Sequence, residues 1–165
     1  MKLTSTIITA VLALALQGAF VDAQANSTSG HCTGMTVTDY VSSDSNTAKN
    51  SISWQNVTDG HLNFTTSSTG CVVITFVATA GVTPSNDGSF GYLYVRTLLD
   101  GNNLCMPATY NEIIHSGQYP GNASADSITH ICRNVAAGVH TVQVQYKTND
   151  VIGLIDAPVL TVTHN

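Results

Sequence analysis

Six histidines, His31, His61, His115, His130, His140 and His164, are the side chains here best suited to bind a metal or move a proton near neutral pH. Their spacing builds no local site. There is no His-x-His on a strand and no His-Glu-x-x-His on a helix, so a copper or zinc centre would have to be assembled from distant segments. His31 becomes a copper ligand through its own amino group only if processing follows Gly30. His130 and His140 share a strand parity with apolar neighbours, which predicts buried, hydrogen-bonded rings. The carboxylates are fewer still: Glu112 is the sole glutamate, and Asp44, Asp59, Asp87, Asp100 and Asp150 sit in turn-like contexts, where the side chain caps the backbone. No pair marks a glycosidase. No Gly-x-Ser-x-Gly elbow and no glycine-rich phosphate loop is present. The expectation is a non-enzymatic protein with no catalytic residue, no metal site and no cofactor.

Aromatic residues offer a different chemistry, stacking on the apolar faces of sugars. Tyr92, Tyr94 and Arg96 fall on one parity of a long apolar run, with Leu93 and Val95 on the other. The segment Met106–Asp126 lacks regular patterning and adds Tyr110, His115 and Tyr119 as candidate ligand contacts; loops of that length are usually functional or disordered. Trp54, the only tryptophan, alternates with Ile52 and is expected in the core.

Four Asn-x-Ser/Thr sequons occur, at Asn26, Asn56, Asn63 and Asn122. Asn63 lies between Leu62 and Phe64 and is therefore expected to face solvent, while Asn26 and Asn122 fall in loops. In a eukaryotic host these three are good acceptors. The four cysteines, Cys32, Cys71, Cys105 and Cys132, read as two disulfides, since no Cys-x-x-Cys preorganises a metal site. Three pairings are open, and sequence does not choose among them. The preferred map is Cys32–Cys71 with Cys105–Cys132, each closing a segment of moderate length.

The elements that must position these groups are set by composition. Of 165 residues only 9% are charged, against about 25% in ordinary soluble domains, while 43% are hydrophobic. Ser and Thr supply 37 positions and Asn 13, so the polar surface is uncharged. Five Lys and Arg cannot form the basic face that nucleic acid requires. Lys2, the apolar run from Ile7 to Leu16 and Val21-Asp22-Ala23 form a secretory signal, residues 1–23. Gln17, Gly18 and Asp22 interrupt that run before the roughly 20 residues of a spanning helix, so no membrane insertion is expected. Residues 24–34 read as a flexible polar arm, and 35–165 as one domain.

Within that domain the period is two. Apolar residues alternate from Met35 through Val41, Ile52 to Trp54, Leu62 to Phe64, Ile128 to Cys132, Val142 to Tyr146 and Leu160 to Val162. Cys71–Ala80 is apolar on both parities, predicting a central strand covered on both faces. Phe90–Leu99 is a further long strand, ended by the turn signal Asp100-Gly101. No segment has a helical period. About eight strands predict an all-β antiparallel sandwich, jelly-roll-like.

The succession YLYVRTLLDG, NVAAGVHTVQVQYKT and APVLTVTH resembles the closing strands of jelly-roll modules of the tumour-necrosis-factor and complement-globular-head kind, over roughly Tyr92 to His164. That resemblance implies a non-enzymatic, oligomeric module acting in binding or assembly, and it transfers no functional residue. The signal, the low charge, the paired cysteines and the lack of a catalytic constellation lead to the expectation of a secreted, disulfide-stabilised, glycosylated, non-enzymatic protein acting in self-assembly, as a homo-oligomer or fibre, or in surface recognition within an extracellular layer, coat or fibre. Nearly uncharged strands leave sheet edges open to pairing, and the arm is suited to strand addition. The alternatives are a lectin-like carbohydrate-binding module and a metal-dependent secreted enzyme.

Overall fold

The computed structural model describes residues 32–83, 90–102, 105–106, 112–117 and 123–165. The expected signal segment, arm residues 24–31, Asn26, Asp87, Tyr110, Tyr119 and Asn122 lie outside the described residues. The strands are β1 (Val37–Ser42), β2 (Asn46–Asn50), β3 (Gln55–Thr66), β4 (Gly70–Val82), β5 (Gly91–Leu99), β6 (Cys105–Met106), β7 (Glu112–Gly117), β8 (Ala123–Val135), β9 (Gly138–Thr148) and β10 (Ile152–His164). No helix occurs among the described residues.

These strands form two antiparallel sheets. The six-stranded sheet has the order β1-β10-β4-β8-β6, with β2 pairing the first half of β10; the four-stranded sheet has the order β3-β9-β5-β7. Period-two alternation puts the apolar parity of each strand inward. Ile74 and Phe76 of β4, Leu160 and Val162 of β10, Leu93 and Val95 of β5, and Val142 and Val144 of β9 belong to one buried cluster shared by both sheets, a sandwich-like arrangement.

Both disulfides are formed, between Cys32 and Cys71 and between Cys105 and Cys132. The first ties the segment before β1 to β4. The second joins directly opposed residues of β6 and β8, with Cα atoms 4.1 Å apart. Such pairs persist in oxidising compartments, which is consistent with an extracellular protein. Asp100 and Gly101 both take positive φ, 51° and 75°, and Leu99 and Asn102 exchange backbone hydrogen bonds around them. That is the tight turn their sequence signals.

The structure corrects four expectations. Among the described residues there are ten strands rather than about eight. Residues 51–54 are not a strand: here the chain leaves the six-stranded sheet after β2 and enters the four-stranded one at β3, so Ile52 is 74% exposed and Trp54 only half-buried. The stretch read as unpatterned, Met106–Asp126, contains β7 and the start of β8. In β7, Ile113 faces out while His115 is buried, so a histidine occupies a core position and hides the alternation. Finally, β4 is central but not covered on both faces. Its second parity, Val73, Thr75 and Val77, forms part of the sheet's outer surface, with Val77 37% exposed.

Candidate functional site

The outer face of the four-stranded sheet gathers rings and cations. Tyr92, Tyr94 and Arg96 project from β5 on the parity opposite to buried Leu93 and Val95. The Phe90 and Tyr92 rings stack with centroids 6.4 Å apart, and Tyr92 and Tyr94 lie tilted at 6.1 Å. Antiparallel register sets Lys147 of β9 opposite Tyr94 and Gln145 opposite Arg96. Lys147 Nζ lies 5.2 Å from the Tyr94 centroid and 5.0 Å from that of Trp54, while the Arg96 guanidinium carbon sits 4.3 Å from the Trp54 centroid. The result is one continuous row, Phe90–Tyr92–Tyr94–Lys147–Trp54–Arg96. Cation–π attraction holds its two cations against the rings.

A polar chain fixes the far end. Arg96 donates from Nε and Nη2 to Gln145 Oε1, at 2.9 and 2.6 Å, and Gln145 Nε2 donates to Asn56 Oδ1 at 2.9 Å. Thr141 Oγ1 likewise donates to Asn63 Oδ1 at 2.9 Å. The two described sequon asparagines, both exposed, are thus hydrogen-bonded from β9 across the outer face of β3. Chemically, the row can stack apolar faces and offer cationic donors; it holds no nucleophile paired with a base.

The candidate ligand residues separate. Tyr92, Tyr94 and Arg96 come together, whereas His115 pairs in register with Leu93 and is buried on the opposite side of the same sheet. Its Nδ1 lies 2.9 Å from Asp126 Oδ2 and 3.1 Å from Ser124 Oγ, and its Nε2 is buried without a partner among the described residues. Serine and aspartate both face Nδ1, so this trio lacks the serine on Nε2 that a nucleophile–base–orienter arrangement needs.

The other buried histidines hold the structure together. His130 Nδ1 is 3.0 Å from Thr97 Oγ1, and burial lowers its pKa, favouring the neutral ring. His140 bridges Asp100 Oδ2, 2.8 Å from Nδ1, and the Ala136 carbonyl, 2.9 Å from Nε2. Burial pulls its pKa down, but the bonds to Asp100 and Ala136 and the Asp100 charge outweigh burial, and the net shift is upward. Asp100 moves the other way: burial raises it, yet the bonds from His140 and from the Thr141 amide leave it net lowered. His164 Nε2 is 2.9 Å from Asp39 Oδ2, tying β10 to β1. Both His140 and His164 rest against the Phe64 ring, at 5.5 and 5.0 Å. Among the described residues no three His, Cys, Asp or Glu side chains converge to hold a metal ion.

Three members of the row escaped the sequence reading. Phe90 and Lys147 share the parity of Tyr92 and Gln145, and extending each stripe by one step finds them. Trp54 carries no such signal, because it lies in the crossover before β3, where strand parity does not apply. No known protein family matches the chain, and no curated protein matches it.

Proposed function

We propose that this is a secreted module that self-associates through the outer face of its six-stranded sheet. The observation that carries the proposal is the charge-free centre of that face. Three cross-strand rows fill it: Thr38, Thr163, Val73, Ile131 and Met106; Tyr40, Thr161, Thr75 and Thr129; Ser42, Val159, Val77 and Ser127. Hydroxyl pairs stitch it, Thr38 to Thr163 and Thr75 to Thr129. Charge begins only at the margins, at Arg133 and Asp156. Tyr40 is 71% exposed and Met106 and Val77 are over a third exposed, so apolar surface is left uncovered by the described residues. A face of hydroxyls, β-branched methyls and one tyrosine presents nothing to repel a second copy, and burying it removes apolar area from water.

The strand order supports a jelly-roll reading. Setting aside β2 and β6, the eight remaining strands interleave as first-eighth-third-sixth in one sheet and second-seventh-fourth-fifth in the other, the double Greek key of that architecture. The likeness of Tyr92–His164 to tumour-necrosis-factor and complement-head modules rests on sequence pattern alone.

Light scattering of the mature protein at micromolar concentration tests the proposal. An oligomer is expected, and Thr161→Arg, a surface change in the middle row, is expected to release monomers whose unfolding midpoint matches that of wild type diluted to monomer. A wild-type monomer, before and after deglycosylation, overturns the proposal; so does an oligomer that tolerates the arginine.

A second reading is favoured by the aromatic row of the other sheet: a lectin-like site in which sugars stack on Tyr92, Tyr94 and Trp54. Glycan-array binding that disappears in Trp54→Ala would establish it, and absence of binding at millimolar saccharide would remove it.

A further inference from the structure

We infer that Asn56 bears an N-linked glycan whose first sugar packs on Trp54, so that the end of the aromatic row is covered from within the same molecule. The inference rests on the secretion reading above and on a host that glycosylates in its secretory pathway.

The geometry runs through one side chain. The Arg96 guanidinium lies against the Trp54 ring, donates to Gln145, and Gln145 donates to Asn56 Oδ1. Trp54 and Asn56 therefore sit on the same outer face, two residues apart in sequence and two hydrogen bonds apart in space. With Oδ1 held towards β9, the amide nitrogen that accepts sugar occupies the other arm of the carboxamide. The strand also yields at this point. Asn56 opposes Gln145, but the next registered residue of β3, His61, opposes Gln143, so residues 57–60 bulge away from the ladder and Asp59 takes a φ of 56°.

Trp54 supplies the complementary surface. Two cations lie over its ring at 4.3 and 5.0 Å, yet the residue remains only half-buried. The apolar face of a pyranose stacks on such a ring, and the short tether from Asn56 makes that contact nearly intramolecular in cost. Asn63, also exposed on β3, has the smaller, polar imidazole of His61 two residues before it in place of an indole.

The chemistry balances with one co-reactant, a polyprenyl-diphosphate-linked oligosaccharide. The bond from sugar C1 to the diphosphate oxygen breaks, a bond from Asn56 Nδ2 to C1 forms, and one Nδ2 proton leaves with the polyprenyl diphosphate.

Because Trp54 is the only tryptophan, intrinsic fluorescence reports on this one ring. The test secretes the full chain from a eukaryotic cell line and compares four forms: as secreted, trimmed by endoglycosidase to a single N-acetylglucosamine, Asn56→Gln, and Asn63→Gln. Peptide mass spectrometry is expected to find glycan at Asn56. Acrylamide quenching of Trp54 should be equally low in the first two forms and in Asn63→Gln, and should rise, with emission shifted to the red, in Asn56→Gln. Thr58→Ala, which abolishes the same sequon, should repeat that result if Asn56→Gln folds poorly. Secreted protein with Asn56 bare, or quenching that is the same with and without the Asn56 sugar, overturns the inference. Retention of the chain inside the cell would overturn the secretion reading and this inference with it, so the two failures are distinguishable.

Discussion

The two outer faces of this molecule are built on the same β alternation and differ in what that alternation exposes. The six-stranded sheet shows threonines, serines and aliphatics in rows without charge. The four-stranded sheet shows a tyrosine–tryptophan row pinned by Arg96 and Lys147, with two sequon asparagines at its β3 edge. Cations and glycan acceptors keep a surface wet and separate from its copies; hydroxyl and methyl rows do not. On the functions proposed above, association falls to one sheet and saccharide contact to the other, and the expected outcomes below bear on that division.

The largest effect separates inside from outside on a single strand. Phe76 is fully buried and its neighbour Val77 points out from the same sheet. Phe76→Ala is expected to lower the free energy of unfolding by about 3–5 kcal/mol through the cavity it leaves. Val77→Ala should cost less than about 1 kcal/mol in the monomer and act on association instead. Equal losses in denaturant unfolding would mean the outer face is not a free surface.

Next is the border of the six-stranded sheet, where Cys105 and Cys132 hold the two-residue strand β6. Replacing both by alanine should cost about 3–4 kcal/mol on the chain-entropy account. A loss under about 1 kcal/mol would show that β6 adds nothing to that sheet beyond its own hydrogen bonds.

Trp54→Ala addresses the other face. Losing its contacts with Arg96 and Lys147 should cost about 0.5–1 kcal/mol for each cation–π contact at this partly exposed site, with no change in particle size by light scattering. A change in oligomeric state would break the division between the faces.

The smallest effect is a pH dependence at the Asp100 turn. The histidine pKa is raised from its ordinary 6.5, so its contribution is full below that value and is lost as pH rises through the folded pKa. The lowered Asp100 contributes above its ordinary 3.8 and loses that contribution on acidification. Wild-type stability relative to His140→Gln should therefore be greatest between about pH 4 and 6.5 and shrink towards alkaline pH. A difference independent of pH would show that packing against Phe64, rather than the ion pair, is what His140 supplies.

How much of this was legible in the sequence depended on range. The period-two runs placed Leu93, Val95, Val142, Val144 and Phe76 inward and Tyr92, Tyr94, Arg96 and Asn63 outward, because side-chain direction in a strand is a local property. The turn at Asp100-Gly101 was equally local, since both positions need positive φ. The β7 strand was hidden because its buried position is a histidine, whose partners Asp126 and Ser124 come from another sheet.

By itself, then, the sequence determined an all-β chain with paired cysteines, an uncharged surface and the facing of its long strands, all consequences of composition and nearest-neighbour geometry. Tertiary structure alone decided the rest. It placed Trp54 on Arg96 and Lys147 rather than in the core, because a crossover between sheets obeys no strand parity. It turned the second parity of β4 into an open outer surface, because apolar content does not reveal whether another layer lies above. It also sent His115 to the opposite side of the sheet from Tyr92 and Tyr94, because register between β5 and β7 is a long-range pairing that neither strand encodes alone.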